Sequence, residues 1–164
     1  MFEHLGVGTE FVDGEGMDAC VRLYKTGGVS GRMDYDFVDQ PDLAQTLVVC
    51  CCMMNVPFRF TGLQSLKIKE TDRISALKRE MAKLGYMIEE ENGSVLLWNG
   101  ERCKGDAEPA VDTYDDHRMA MAFAPAVIRL GSMIVDEPDV VSKSYPSFWQ
   151  EFQKVLPCEI KIID

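Results

Sequence analysis

The sequence lacks the features that membrane, zinc-binding and nucleic-acid-binding proteins need. No apolar run approaches the roughly 18 residues of a membrane-spanning helix. None of the six cysteines forms a C-x-x-C pair, which argues against a zinc ribbon. No basic stripe is visible, and 27 acidic against 17 basic residues give a net charge of −10. We therefore expect neither a membrane nor a nucleic acid as partner.

What the sequence does contain is enough apolar material for a core. Hydrophobic residues make up 46% and charged residues 27% of 164 residues, which predicts one globular domain over residues 1–164. Cys50, Cys51 and Cys52 lie inside the continuous apolar run Leu47–Met54, so we expect them to pack as small hydrophobic side chains in a buried helix. Reduced thiols favour a cytoplasmic location. The residues after Met1 do not resemble a signal peptide.

Helices that precede strands dominate the predicted secondary structure. In the segment Asp72–Leu84, apolar residues recur at helical spacing, while Arg79, Glu80 and Lys83 are expected to face solvent. This alternation predicts an α+β or α/β fold with helices packed on mixed sheets. The predicted helices cover Pro41–Met54, Asp72–Leu84, 115–129 and Pro146–Val155, and the predicted strands cover Val7–Val12, Phe58–Thr61, 86–90, Val95–Trp98, 133–135 and 159–163.

Charged residues gather at four predicted helix starts. They are Asp42, the string Lys69-Glu70-Thr71-Asp72-Arg73, the string Asp115-Asp116-His117-Arg118, and Lys143 before Pro146. Each group alone also fits a capped helix start with solvated charges. A metal site made of Asp115, Asp116 and His117 is disfavoured, because adjacent residues cannot all point at one ion.

Together, the four groups suggest one shared site. If the helix starts converge, they form a cationic pocket around two carboxylates, Asp42 and Glu70. Such a pocket suits a small, doubly anionic substrate and acid–base chemistry. The cations of this expected pocket are Lys69, Arg73, His117, Arg118 and Lys143.

Three of these strings, in this order and spacing, resemble the EPSP synthase (3-phosphoshikimate 1-carboxyvinyltransferase) family. They are Lys-Glu-Thr-Asp-Arg at 69–73, Asp-His-Arg-Met-Ala at 116–120 and Lys-Ser-Tyr-Pro at 143–146. The resemblance runs from about Leu5 to Phe152 and covers the C-terminal part of the family's sequence. It implies an enolpyruvate-transferase domain of repeated βαβαββ units. The chain would be most of the C-terminal domain of a two-domain enzyme, with the N-terminal domain absent.

The resemblance also implies a reaction and its residues. Enolpyruvyl passes from phosphoenolpyruvate to the 5-hydroxyl of shikimate 3-phosphate, phosphate leaves, and no metal or organic cofactor takes part. Asp42 matches the base at the 5-hydroxyl, Glu70 matches the group that exchanges a proton with carbon 3, and His117 matches an active-site histidine. Arg73, Arg118 and Lys143 match phosphoenolpyruvate contacts, whereas Asp42, Ser65 and Lys69 match shikimate 3-phosphate contacts. At position 65 some members carry asparagine instead of serine.

The family's N-terminal motifs are missing from this sequence, so we expect the chain to be inactive without that domain. Two other interpretations remain open at this point. One is the related enzyme that transfers enolpyruvate to UDP-N-acetylglucosamine, which has different motifs. The other is a non-catalytic binding module of the same fold, in which the charges only cap helices.

Overall fold

The described part of the chain, residues 1–12 and 20–156 of the computed structural model, folds into three sheets and five α-helices. The predicted strand at 159–163 and Cys158 lie outside it. The strands are β1 Val7–Val12, β2 Cys20–Lys25, β3 Met33–Asp36, β4 Phe58–Thr61, β5 Glu89–Glu91, β6 Val95–Trp98, β7 Ala110–Val111 and β8 Ile134–Val135. The helices are α1 Ala44–Met54, α2 Arg73–Lys83, α3 His117–Phe123, α4 Val127–Leu130 and α5 Phe148–Val155.

A mixed four-stranded sheet forms the centre of the fold, with strand order β3-β4-β6-β5. Strands β3 and β4 are parallel and joined through α1, whereas β6 is antiparallel to both β4 and β5. The β5–β6 hairpin turns at Asn92 and Gly93, both with positive φ, as the Asn-Gly pair predicts. From β3 to β6 the chain therefore follows the order β-α-β-α-β-β, and the predicted class of helices on mixed sheets is confirmed.

Helices α1 and α2 supply most of the core beside this sheet. The α1 residues Leu47, Val48 and Cys51 have no exposed surface, because nearly every side of this helix is covered. Only one face of α2 is buried, through Ile74, Leu77 and Met81. The thiols of α1 are buried as predicted for Cys51 and Cys52, while Cys50 is half-buried. Burial raises the pKa of Cys51 to about 12.

Most predicted elements lie where they were expected, but several details differ. The prediction that Glu80 faces solvent is wrong: its side chain is completely buried on α2. Strands β2, β3 and β7 were not predicted, although β2 and β3 show alternating side chains. The helix predicted over 115–129 is divided into α3, a 3-10 turn at Ala124–Ala126 and α4. The segment before α2 is a 3-10 turn, Gln64–Ile68.

Two glycines end helical segments just before extended chain. Gly6 follows the short 3-10 helix Phe2–Leu5, and Gly85 follows α2, with φ of 79° and 86°. In this left-handed conformation a glycine avoids the steric cost of a Cβ atom. The Leu-Gly pair before Val7 and the one before Tyr86 are thus the same structural device.

Candidate active site

The N-terminal ends of α1, α2 and α3 meet at one place. Asp42 lies on the 3-10 turn Pro41–Leu43 that leads into α1. Arg73 is the first residue of α2, and Asp116 is the N-cap of α3. The expected convergence is therefore confirmed for three of the four charged groups, while Lys143 lies at the end of the 3-10 helix Pro138–Lys143 and not at the start of α5. We call Asp42, Lys69, Glu70, Arg73, Asp116 and Arg118 the Arg73 cluster.

Arg73 is the centre of the cluster. Its side chain is 1% exposed, and its guanidinium donates to three carboxylates. Nε donates to Asp116 Oδ2 at 2.5 Å, Nη1 to Asp42 Oδ1 at 2.7 Å and Nη2 to Glu70 Oε2 at 2.5 Å. Because Asp116 is also completely buried, Arg73 and Asp116 form a buried ion pair. Removing either partner would leave the other charge buried and unpaired, at a large cost in stability.

Asp42 faces three cations and is partly open to solvent. Besides Arg73, Arg118 Nη2 lies 3.3 Å from Asp42 Oδ2 and Lys69 Nζ lies 3.5 Å from Asp42 Oδ1. The Asp42 side chain is 33% exposed, so an external molecule can reach it. A carboxylate that is both held in place and accessible is suited to accept a proton from a bound hydroxyl.

Asp116 connects the cluster to the start of α3. Its Oδ1 accepts a hydrogen bond from the backbone N–H of Arg118 at 2.9 Å, which makes it the helix cap. The neighbouring Asp115 is exposed and holds Lys143, whose Nζ lies 2.5 Å from Asp115 Oδ1. Lys143 is thereby brought beside the N-terminal end of α3.

The expected cationic pocket is, however, charge-balanced. Four cations, Lys69, Arg73, Arg118 and Lys143, are paired with four carboxylates, because Asp115 and Asp116 join Asp42 and Glu70. The sequence interpretation had treated these two aspartates as caps or poor metal ligands. An anionic ligand must therefore exchange with carboxylates that the cations already hold.

Two predicted site residues, His117 and Ser65, are not members of the Arg73 cluster. His117 opens α3 and is half-buried, and Ser65 is half-buried on the Gln64–Ile68 turn. Their roles toward a ligand stay predictions.

Glu80 and Tyr114 form a second polar group behind the Asp115–Asp116 segment. Glu80 Oε1 accepts from the Tyr114 hydroxyl at 2.6 Å, and Glu80 Oε2 accepts from the Asp112 backbone N–H at 3.0 Å. Burial, together with the hydrogen bond to Glu80, raises the pKa of Tyr114 to about 12. Sequence reasoning missed Glu80 because of its charge, although its i+3 spacing from Leu77 places it next to the buried stripe.

Within the described ranges, no group of three or more His, Cys, Asp or Glu side chains is arranged to hold a metal ion. No helix there has the length and apolar character to cross a membrane.

Comparison with known proteins identifies the family. The model of the EPSP synthase (3-phosphoshikimate 1-carboxyvinyltransferase) family matches residues 8–152. A 3-phosphoshikimate 1-carboxyvinyltransferase of Bacteroides fragilis YCH46 is 58% identical over 154 residues, which cover 94% of this chain and 36% of that protein. The enzyme of the same name from Idiomarina loihiensis is 33% identical over 168 residues, covering 93% of this chain and 38% of the relative. The chain thus spans about a third of the length of the curated relatives it matches. It belongs to the EPSP synthase family.

Proposed function

We propose that this chain supplies one side of the active site of a 3-phosphoshikimate 1-carboxyvinyltransferase, as most of its C-terminal domain of repeated βαβαββ units. The other side would come from the N-terminal domain of such an enzyme. The substrates are phosphoenolpyruvate and shikimate 3-phosphate, and five unpaired cysteines among the described residues favour a reducing compartment such as the cytoplasm. The observation that carries the proposal is the accessible Asp42 carboxylate held among Lys69, Arg73 and Arg118.

Asp42 and Glu70 divide the proton transfers of the proposed reaction. Asp42 accepts the proton of the 5-hydroxyl as the hydroxyl oxygen bonds to carbon 2 of phosphoenolpyruvate. Glu70, which takes up a proton once it has left Arg73, donates that proton to carbon 3. Glu70 then takes a proton back from carbon 3 as the bond between carbon 2 and the phosphate oxygen breaks. The methylene group is restored, and phosphate leaves with the proton that Asp42 had accepted. Asp42 and Glu70 bond different nitrogens of the Arg73 guanidinium. They are therefore held at different positions, where each can exchange a different proton.

Arg73, Arg118 and Lys143 are proposed to hold phosphoenolpyruvate. Arg118 is 38% exposed, whereas Arg73 is buried. Glu70 is 49% exposed, so it is the partner of Arg73 that can move most easily. Its departure frees Nη2 of Arg73 for a substrate carboxylate and makes Glu70 available to carbon 3. Lys69 and Ser65 are proposed contacts of shikimate 3-phosphate, and His117 a further active-site group.

The proposal is tested in a chimera in which this chain replaces the matching segment of the B. fragilis relative. The chimera is expected to release phosphate from the two substrates together, and this chain alone is expected to release none. Asp42→Ala should lower kcat of the chimera on the order of 100- to 10,000-fold, the usual contribution of a general base. Asp34→Ala, which removes an exposed carboxylate on β3, is the matched control and should leave kcat unchanged.

Two results would contradict the assignment. If Asp42→Ala lowers kcat no more than Asp34→Ala does, then Asp42 only forms structural ion pairs with Lys69, Arg73 and Arg118. If the chimera uses a UDP-sugar acceptor in place of shikimate 3-phosphate, then the substrate is wrong although the enolpyruvyl chemistry stands.

A further inference from the structure

Glu80 is a buried carboxylate to which the proposed reaction gives no task. It lies about two helical turns after Arg73 on α2. Its oxygens accept from the Tyr114 hydroxyl at 2.6 Å and from the Asp112 backbone N–H at 3.0 Å, and Lys83 Nζ lies 2.6 Å from Oε2. A buried carboxylate is retained in a fold only when it is paired and hydrogen-bonded. Here both hydrogen bonds from outside α2 come from the segment that leads into Asp116.

That segment needs an anchor because its backbone is strained. Tyr114 and Asp115 both have φ of 55°, the left-handed region that a bulky residue such as tyrosine rarely adopts. Such conformations persist only where the surroundings fix them. Within the segment, Asp112 Oδ1 accepts from the backbone N–H of Tyr114 at 2.7 Å. From outside the segment, Glu80 and Arg79 of α2 bond Asp112 and Tyr114, and Lys143 Nζ donates to the backbone carbonyl of Asp115 at 3.1 Å.

Helix α2 therefore holds the segment at two points. In its first turn Arg73 binds Asp116, and farther along Glu80 binds Asp112 and Tyr114. We propose that Glu80 is a positioning residue for the active site. It fixes the left-handed turn so that the Asp116 carboxylate meets Arg73. The kinetic consequence rests on the proposed function, but the position of Asp116 does not.

The structural consequence can be measured in this chain by NMR. The Arg73 Nε–H proton should exchange slowly with solvent, because the side chain is buried and donates to Asp116. Glu80→Ala should speed this exchange by about tenfold or more, since opening of the segment exposes the bond. Glu80→Gln keeps an acceptor for one of the two hydrogen bonds and should have a smaller effect.

Phe58→Leu is the matched control for a loss of stability alone. Phe58 is completely buried in the central sheet beside Trp98. The two variants are compared at a denaturant concentration and temperature where both remain folded. Equal exchange of the Arg73 Nε–H in Glu80→Ala and Phe58→Leu would overturn the positioning role, as would fast exchange in the unmodified chain.

The kinetic consequence is measured in the chimera. Glu80→Ala should raise KM for phosphoenolpyruvate and lower kcat, together on the order of 10- to 100-fold, because displaced groups lose their alignment. Phe58→Leu should change neither at a temperature where it is folded. The double variant Glu80→Ala, Tyr114→Phe should have the same kcat and KM as Glu80→Ala. If the chimera is active and Glu80→Ala changes neither kcat nor KM, the proposal is refuted. If the chimera is inactive, the proposed function is refuted, and the NMR experiment decides the role of Glu80.

Discussion

Replacing Arg73 with methionine is expected to destabilise the chain more than removing any one of its acidic partners. Loss of one member of a buried ion pair costs about 3–5 kcal/mol, because the other charge stays buried. In Asp116→Asn, Arg73 keeps Asp42 and Glu70, and the new amide can still cap α3, so we expect about 3 kcal/mol. In Arg73→Met, the completely buried Asp116 loses its cation and keeps the backbone N–H of Arg118, so we expect about 4–5 kcal/mol.

The assay is urea unfolding of the chain at neutral pH, followed by the fluorescence of Trp98 and Trp149. A loss of this size is a large part of the roughly 5–15 kcal/mol that stabilises a typical domain. Arg118→Met is the matched control: its partly exposed pair with Asp42, at 3.3 Å, should contribute at most about 1 kcal/mol. If Arg73→Met and Arg118→Met cost the same, Arg73 is not the buried centre that the contacts describe.

Two further predictions concern groups whose pKa is raised. Because the pKa of Tyr114 rises from 10.0 to about 12 on folding, the unfolded chain loses this proton first, and the free energy of unfolding should fall between pH 10 and 12. Urea unfolding across that range should show a smaller fall for Tyr114→Phe, and equal slopes would contradict the raised pKa. The buried thiols of Cys51 and Cys52, whose pKa values are raised, should react slowly with a disulfide reagent at pH 8, whereas exposed Cys20 reacts quickly. Peptide mapping identifies the labelled thiols, and rapid labelling of Cys51 without denaturant would refute its burial.

The local elements of the fold could be predicted where a pattern and its end signals coincide. Helix α2 was predicted over Asp72–Leu84 and is observed over Arg73–Lys83, because Asp72 caps it and apolar residues recur on one face. Strand β3 was missed, although Met33-Asp34-Tyr35-Asp36 alternates apolar and acidic side chains. A strand of four residues gains its stability from pairing with β4, a contact across 25 positions of the chain, Met33 with Phe58, that no local pattern encodes.

The sequence predicted which charged residues come together, but not which of them form ion pairs with one another. The helix starts carrying Asp42, Arg73 and Arg118 do meet, as their shared charged character indicated. A capped helix start was predicted at this group without naming the cap, and the cap is Asp116. Its second contact, with Arg73, depends on how α2 and α3 pack, and the sequence between them contains no signal for it. Glu80 shows the same limit, since its charge indicated exposure while its position on α2 required burial.

The balance of charge in the Arg73 cluster has a consequence for how an anion binds. A guanidinium transferred from water to a buried site loses its hydration, and this cost is met during folding by Asp42, Glu70 and Asp116. A substrate carboxylate that replaces Glu70 therefore meets an arginine that is already desolvated and oriented. Such preorganised charge is most effective where reacting groups develop charge, because nothing has to reorganise during the reaction. Once Glu70 has left, the neutral cluster is on this argument a better anion site than three solvated cations.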